Sequence, residues 1–377
     1  MTSEERRDAR YQRRQAARTA KRAERCQGCD DFNTVFSYRH LYRSYQISRR
    51  GVAWKASVQK YITQAPLNVW STYDRLQRGT YKTGGFYEFD LRERGKLRHI
   101  RSVTIGERVV QRCLCDHALV PAITRTFIYD NGAALERKGY SFAIRRLCQH
   151  LREHHRKHGA DGYVLLFDFS KFFDRVSHRL VKGILRKEFT DERLIKITEH
   201  FVDAFGDVGL GLGSQISQVF ALASASRLDH FIKEILRIRG YGRYMDDGYL
   251  IHPSKEYLKK CLAAIAAICQ ELEITLNVKK TQIVPLRHGF TFLKVRFYLT
   301  DSGRIVRKIY RRSVTKMRRK LKALRRMLDE GRVEYADVYA SWQSWKSYAQ
   351  QFDAYRTVQS MGKLYNDLFV KGWLIPA

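Results

Sequence analysis

The chain has 377 residues, enough for two or three domains or for one large enzyme with subdomains. Its 44% hydrophobic content excludes wholesale disorder, and no run of about 20 apolar residues is present to span a bilayer. Lys and Arg total 71 against 38 Asp and Glu, a net charge of +33. Such an excess repels itself in the folded state and points to a polyanionic partner, nucleic acid first and a membrane surface as the rival reading.

In chain order, residues 1–31 form an Arg-rich, polar segment, read as a solvated charged helix or as a basic arm that settles on phosphates. It lacks the apolar core of a signal peptide, so a soluble, cytoplasmic protein is expected. Cys26 and Cys29 have the spacing of half a zinc site, but no second pair completes one, and structural zinc is not expected. Seven scattered cysteines imply reduced thiols rather than a disulfide framework.

Helices are predicted over Leu41–Ser48 and Val52–Val69. A strand pair follows over Gly85–Leu91 and Leu97–Val103 around Glu93-Arg94-Gly95, then helices over Gly106–Ile123 and Ser141–Lys157. Gly162–Asp168 is an apolar run ending on a carboxylate, read as a buried strand. Helices are predicted again over His178–Glu188, Asp191–Asp203, Gln218–Arg239 and Ser254–Leu272, with a hairpin over Tyr241–Ile251 and a strand pair over Thr291–Leu299. From about Arg304 the pattern reads as purely helical, with Val314, Met317, Leu321, Leu324 and Leu328 as an apolar stripe. The fold class is therefore α+β.

Nucleotidyl transfer needs two Mg²⁺ ions held by two or three carboxylates on rigid elements. Asp168 at a strand end and Asp246-Asp247 in a tight hairpin turn supply them if their strands are adjacent. A DD pair alone is common in surface turns. In Arg243-Tyr-Met-Asp-Asp-Gly-Tyr-Leu-Ile, however, the acids interrupt an apolar strand pattern, and burying them without a counter-ion costs several kcal/mol.

Tyr244-Met245-Asp246-Asp247 resembles the YxDD box of reverse transcriptases, and Phe167-Asp168-Phe-Ser-Lys-Phe-Phe173-Asp174 resembles their first catalytic box, 78 residues earlier. The resemblance implies a right-hand polymerase, with a basic tail over 1–31, fingers over 32–160, a palm with an antiparallel sheet over 161–300 and a helical thumb over 301–377. It also implies Asp168, Phe169, Asp246 and Asp247 as the metal-binding set for two Mg²⁺ ions (Mn²⁺ as a substitute), and Phe173 as the gate against a ribose 2′-hydroxyl. A packed core aromatic is the other reading of Phe173.

Gly95-Lys96-Leu-Arg98-His-Ile100 resembles the fingers motif K-x-R-x-I, whose cations meet the incoming dNTP; His99 stands where related enzymes often have Pro. Asn277-Val-Lys-Lys280-Thr281 resembles a later palm box. There Lys280 is either the proton donor to the pyrophosphate leaving group or a surface lysine. Phe290-Thr-Phe292-Leu293-Lys294 resembles the primer grip, with Lys294 in place of the more usual Gly. Tyr339-Ala-Ser-Trp342-Gln-Ser-Trp345-Lys-Ser-Tyr348 resembles the thumb of bacterial and intron-type enzymes, its aromatics packing the thumb rather than stacking on bases.

Leu212-Gly213-Ser-Gln-Ile-Ser217-Gln218 stands where most reverse transcriptases show Q-G-x-x-x-S-P, in the form carried by those of diversity-generating retroelements. That resemblance implies a bacterial or phage-encoded enzyme, error-prone at template adenine, with Leu212, Gly213 and Gln218 at the dNTP site beside Lys96, Arg98 and Phe173. Its implied partners are an RNA template, a DNA or RNA primer, dNTPs and a small basic accessory protein. A phage-defence or retron-type reverse transcriptase, or a non-catalytic RNA-binding protein of the same fold, are the alternatives. The chain is expected to be too short to hold a ribonuclease H or integrase domain as well.

Overall fold

The computed structural model describes residues 28–93 and 96–370, with isolated positions between 6 and 24; of Glu93, Lys96 and Arg98 it describes the backbone alone. Most of the basic arm, Cys26 and the turn residues Arg94 and Gly95 lie outside the described residues. All pairings between the named strands are antiparallel, interleaved with helices, and the fold is α+β as expected. Among the described residues no helix is long and apolar enough to cross a membrane. Two compact units are formed, one of Met1–Gly139, Phe169–Ile235 and Ile265–Leu276, the other of Tyr140–Asp168, Leu236–Ala264 and Asn277–Ala377.

In the first unit, Ser37 caps the helix Tyr38–Ser48 by accepting from the His40 backbone N–H. The single helix expected over Val52–Val69 is two, Ala56–Ile62 and Ala65–Gln77. Pro66 is the cause: lacking an N–H, it belongs in a first turn and starts the second helix there. Strands β1 (Tyr87–Glu93) and β2 (Lys96–Ser102) form the expected hairpin. The helix expected over Gly106–Ile123 runs as α-helix over Ile105–Leu114, as a π turn over Cys115–Leu119 and as α-helix again over Val120–Ile123. Gln218–Arg239 is likewise broken, into helices Gln215–Ser224 and Ser226–His230 and a π turn Phe231–Ile235.

In the second unit, β3 (Tyr163–Asp168), β4 (Tyr241–Tyr244), β5 (Asp247–His252) and β6 (Gln282–Pro285) make a sheet of order β4-β5-β3-β6. Its central strand β3 is buried from Val164 to Asp168, which is why it reads as a continuous apolar run. β7 (Phe290–Phe292), β8 (Val295–Leu299) and β9 (Ile305–Ile309) form a second sheet. Leu147 and Leu151 of helix Tyr140–His158 share one core with Val164, Tyr249, Phe290, Phe292 and Phe297.

The expectation of pure helix from Arg304 is corrected by β9, whose identity is set by pairing with β8 rather than by local pattern. Beyond it, Arg311–Asp329, Tyr335–Ala349 and Tyr355–Phe369 are helices. They bury the predicted stripe Met317, Leu321 and Leu324 against Trp342, Tyr365 and Phe369. Trp342 stacks on Trp345 and Tyr365, with ring centroids at 5.7 and 5.2 Å, so these aromatics do pack the helices.

Candidate active site

Asp168 ends β3 and lies opposite Asp247 in the β3–β5 register. Tyr244 pairs with Asp247 across the next ladder, leaving Met245 and Asp246 as a two-residue turn. Adjacent antiparallel strands therefore bring Asp168 and Asp247 face to face, with Asp246 beside them. Gly248 is required at the next position, because a Cβ there would meet the Phe167 ring at 2.2 Å.

Two residues of the motifs, given no role there, brace the backbone and one carboxylate of this site. Arg243 is 1% exposed, and its Nη1 donates to the Met245 carbonyl at 2.7 Å. Met245 has φ +55°, a left-handed conformation that costs about 1–3 kcal/mol and persists only where the surroundings fix it. A buried guanidinium inside an apolar strand was the signal available in the sequence. Asn277 is the second: its Nδ2 donates to Asp168 Oδ1 at 3.0 Å, and its backbone N–H donates to the Asp168 carbonyl at 2.8 Å.

Lys280 takes the other carboxylate oxygen, its Nζ lying 2.5 Å from Asp168 Oδ2. Burial works to lower the pKa of this ammonium, but Asp168, with Asp247 and Asp246, outweighs burial and holds it above its ordinary value. Burial first, then the charges of Asp246 and Asp168, push the Asp247 carboxyl up to about 7. Among the described residues no three His, Cys, Asp or Glu side chains already form a metal cage. The donor set nonetheless fits a divalent cation, since three acids crowd one hairpin end and one is driven toward neutrality. An ammonium is drawn onto a second in a cation's place.

The residues that the sequence leads one to expect at a dNTP belong to the first unit. Phe173 lies in the short helix Phe172–Arg175; Phe172 is its buried member, and Phe173 is half-buried with its ring edge-on to Phe172. The segment Gly209–Gly213 runs against this helix. Leu210 N donates to the Phe173 carbonyl at 2.7 Å and Gly209 N to that of Val176 at 2.9 Å. Gly209, at φ +89°, could not carry a Cβ, which would stand 2.7 Å from the Asp174 carbonyl oxygen. Gly213 faces β2, the nearest atoms to its missing Cβ being the Arg101 carbonyl oxygen and Ile100 Cγ2. The strand carrying Lys96 and Arg98, the Phe173 helix and the Leu212 segment therefore meet. Leu212 and Gln218 are both half-buried.

A buried polar relay missed by the sequence reading anchors that segment. Ser214 Oγ donates to Gln111 Oε1 at 3.1 Å, Gln111 Nε2 to Glu107 Oε1 at 3.2 Å, and Gly84 N to Glu107 Oε2 at 2.9 Å. Asp116, on the π turn, accepts from Gln215 Nε2 at 3.1 Å and pairs with Arg112 at 2.6 Å. Burial raises the Glu107 carboxyl. Glu107 and Gln111 stand four apart on a helix face, where sequence reading expects apolar residues; that was the signal.

At the hairpin, His99 reaches Asp90 at 3.0 Å and Glu88 at 3.3 Å, so a cross-strand acid partner takes up the residue that replaces Pro. In the segment that resembles a primer grip, Leu293 and Lys294 form the β7–β8 turn with φ +47° and +65°. Both are conformations that glycine would adopt without strain. Phe292 is buried against Tyr249, with ring centroids 5.0 Å apart.

Residues 92–297 match the family model of reverse transcriptases (RNA-dependent DNA polymerases). Protein YkfC of Escherichia coli (strain K12) is 25% identical over 248 residues, covering 53% of this chain and 62% of that protein, so under two thirds of the relative is spanned. Apo telomerase from Candida tropicalis, truncated from its C-terminal domain, is a solved neighbour at 14% identity and TM-score 0.45, over 65% of this chain and 60% of that one. Telomerase from Candida albicans, solved with a TWJ fragment of telomeric RNA, is another at 12% identity and TM-score 0.46, over 77% and 56%. With more than half its length matched, the chain belongs to the reverse transcriptase (RNA-dependent DNA polymerase) family.

Proposed function

We propose that the chain synthesises DNA on an RNA template by two-metal nucleotidyl transfer, with Asp168, Asp246 and Asp247 as its catalytic carboxylates. The observation that carries this reading is the β3–β5 register, which sets Asp168 against Asp247 beside Asp246 in a chain of this family. Asp168, Phe169, Asp246 and Asp247 would hold two Mg²⁺ ions, which when bound activate the primer 3′-hydroxyl and neutralise triphosphate charge. Asn277 and Arg243 keep the carboxylates aimed. Lys280, held protonated, donates toward the departing pyrophosphate. Lys96 and Arg98 meet the triphosphate, Phe173 blocks a 2′-hydroxyl, and Phe292, Leu293 and Lys294 bear on the primer. Fingers (32–160), palm (161–300) and thumb (301–377) are the corresponding functional division.

The Leu212–Gln218 segment favours a more specific reading, copying of a template RNA with errors at adenine in a diversity-generating retroelement, alongside a small basic accessory protein. An aliphatic Leu212 offers no hydrogen bond where related enzymes place Gln. A retron-type or phage-defence role would share the chemistry without that bias.

Primer extension on a defined RNA tests the chemistry. Asp168→Ala, or Asp246→Ala with Asp247→Ala, should reduce dNTP incorporation on the order of 10⁴-fold while RNA affinity is kept. Extension by either variant at the wild-type rate would remove these residues from the mechanism.

A further inference from the structure

Helices Tyr38–Ser48 and Ala65–Gln77 carry an aromatic surface that nucleotidyl transfer does not use. Trp70 is 55% exposed and Leu67, one turn away, 67%. Trp70 lies 5.4 Å from Tyr73 and 5.9 Å from Tyr38, ring centroid to centroid, and Tyr38 stacks on Tyr42 at 6.0 Å. Arg39 and Arg43, both exposed, stand one turn apart beside Tyr38 and Tyr42 on the same helix. From Tyr38 to Arg78 there are eight Lys and Arg and one acid, Asp74, which Arg78 already engages at 2.9 Å.

Scattered exposed apolar residues are ordinary. A run of four neighbouring rings, open at Trp70 and flanked by Arg39 and Arg43, which have no acidic partner among the described residues, is not. Single-stranded nucleic acid has the matching chemistry, with bases that stack on aromatic faces and phosphates that pair with guanidinium groups. A duplex hides its base faces and gains only the charge. A membrane surface would need a broad aliphatic face, and Leu67 and Trp70 are the only exposed large apolar residues described on these two helices.

We propose that the Tyr38–Tyr42–Trp70–Tyr73 face binds single-stranded RNA, with bases stacking at Trp70 and phosphates held by Arg39 and Arg43. The choice of RNA rests on the polymerase reading; the stacking chemistry does not.

The full chain is titrated, by fluorescence anisotropy, against an unstructured RNA of about 20 nucleotides, the same RNA as a duplex, and vesicles containing anionic lipid. Trp70→Ala should weaken single-strand binding by about 5-fold or more and leave the duplex and the salt slope unchanged. Arg39→Gln with Arg43→Gln should instead lower the salt slope by about 1.4. Both substitutions are at exposed positions, and unchanged thermal melting controls for folding. Equal single-strand affinity in Trp70→Ala and wild type overturns the proposal. So does a Trp70-dependent affinity for vesicles without one for RNA. A chain that extends primers yet is indifferent to Trp70 keeps the polymerase and loses this surface. One that binds RNA through Trp70 without extending primers does the reverse.

Discussion

At the scale of single residues, the strongest constraint is three carboxylates on neighbouring strand ends. Asp247 bears it, with a carboxyl raised from 3.8 to about 7 by burial and by its two acidic neighbours. Because the folded form keeps its proton where the unfolded form has lost it, stability attributable to Asp247 declines as pH rises from about 4 to about 7 in metal-free protein. Asp247→Asn should flatten that decline in a melting series across the same window. Adding Mg²⁺ at pH 8 should raise the wild-type melting temperature more than that of Asp247→Asn. A metal-free profile identical in both proteins would mean that Asp247 is not the group under strain. Phe173 poses a separate question, since it is half-buried rather than sealed in the core. If it guards the sugar pocket, Phe173→Ala should admit rNTPs in primer extension, and an unchanged dNTP/rNTP ratio would move the gate elsewhere.

The elements that local pattern fixes were legible in the sequence, and those that pairing fixes were not. Helix His178–Glu188 follows from apolar periodicity and strand β3 from an unbroken apolar run. Edge strands β6 and β9 are short and owe their conformation to β3 and β8. The acids of the YxDD turn were legible because charge breaks an apolar run. Asn277 and Gln111 were not, because a polar residue gains its meaning only from the buried partner the fold delivers. Gln111 is the clearer case, since it joins helix Ile105–Leu114 to the Leu212–Gln218 segment through Ser214. Gln111→Leu strands the Ser214 hydroxyl and should cost about 1–3 kcal/mol in urea unfolding, with Gln111→Leu/Ser214→Ala recovering part of it. If that segment lies under the nascent pair, Leu212→Gln should lower misincorporation roughly 2- to 12-fold, for a hydrogen bond of about 0.5–1.5 kcal/mol, most of all opposite template adenine. Deep sequencing of cDNA decides it. A wild-type spectrum without adenine excess counts against the retroelement reading, and an excess that Leu212→Gln leaves intact refutes the hydrogen-bond account.

On the scale of the whole molecule, the net charge of +33 favours a polyanion over the whole chain, so if RNA is the partner its affinity should be a steep function of salt. Each phosphate neutralised on single-stranded RNA releases about 0.7 counterions, so the slope of log affinity against log salt counts the contacts. The Arg-rich arm contributes nine cations, Arg6, Arg7, Arg10, Arg13, Arg14, Arg18, Lys21, Arg22 and Arg25. Removing the arm through residue 31 would confound the measurement. Asp30 accepts from the Thr190 and Asp191 backbone N–H groups at 2.9–3.0 Å, and Asp31 caps the helix Phe32–Val35. Cutting after residue 27 spares both and still takes away all nine cations. If the arm lies on phosphates, this truncation should lower the salt slope by up to about 6 while its unfolding midpoint stays at the full-length value. A slope equal to that of the full chain would assign RNA binding to residues 28–377 and leave the arm without a role in it.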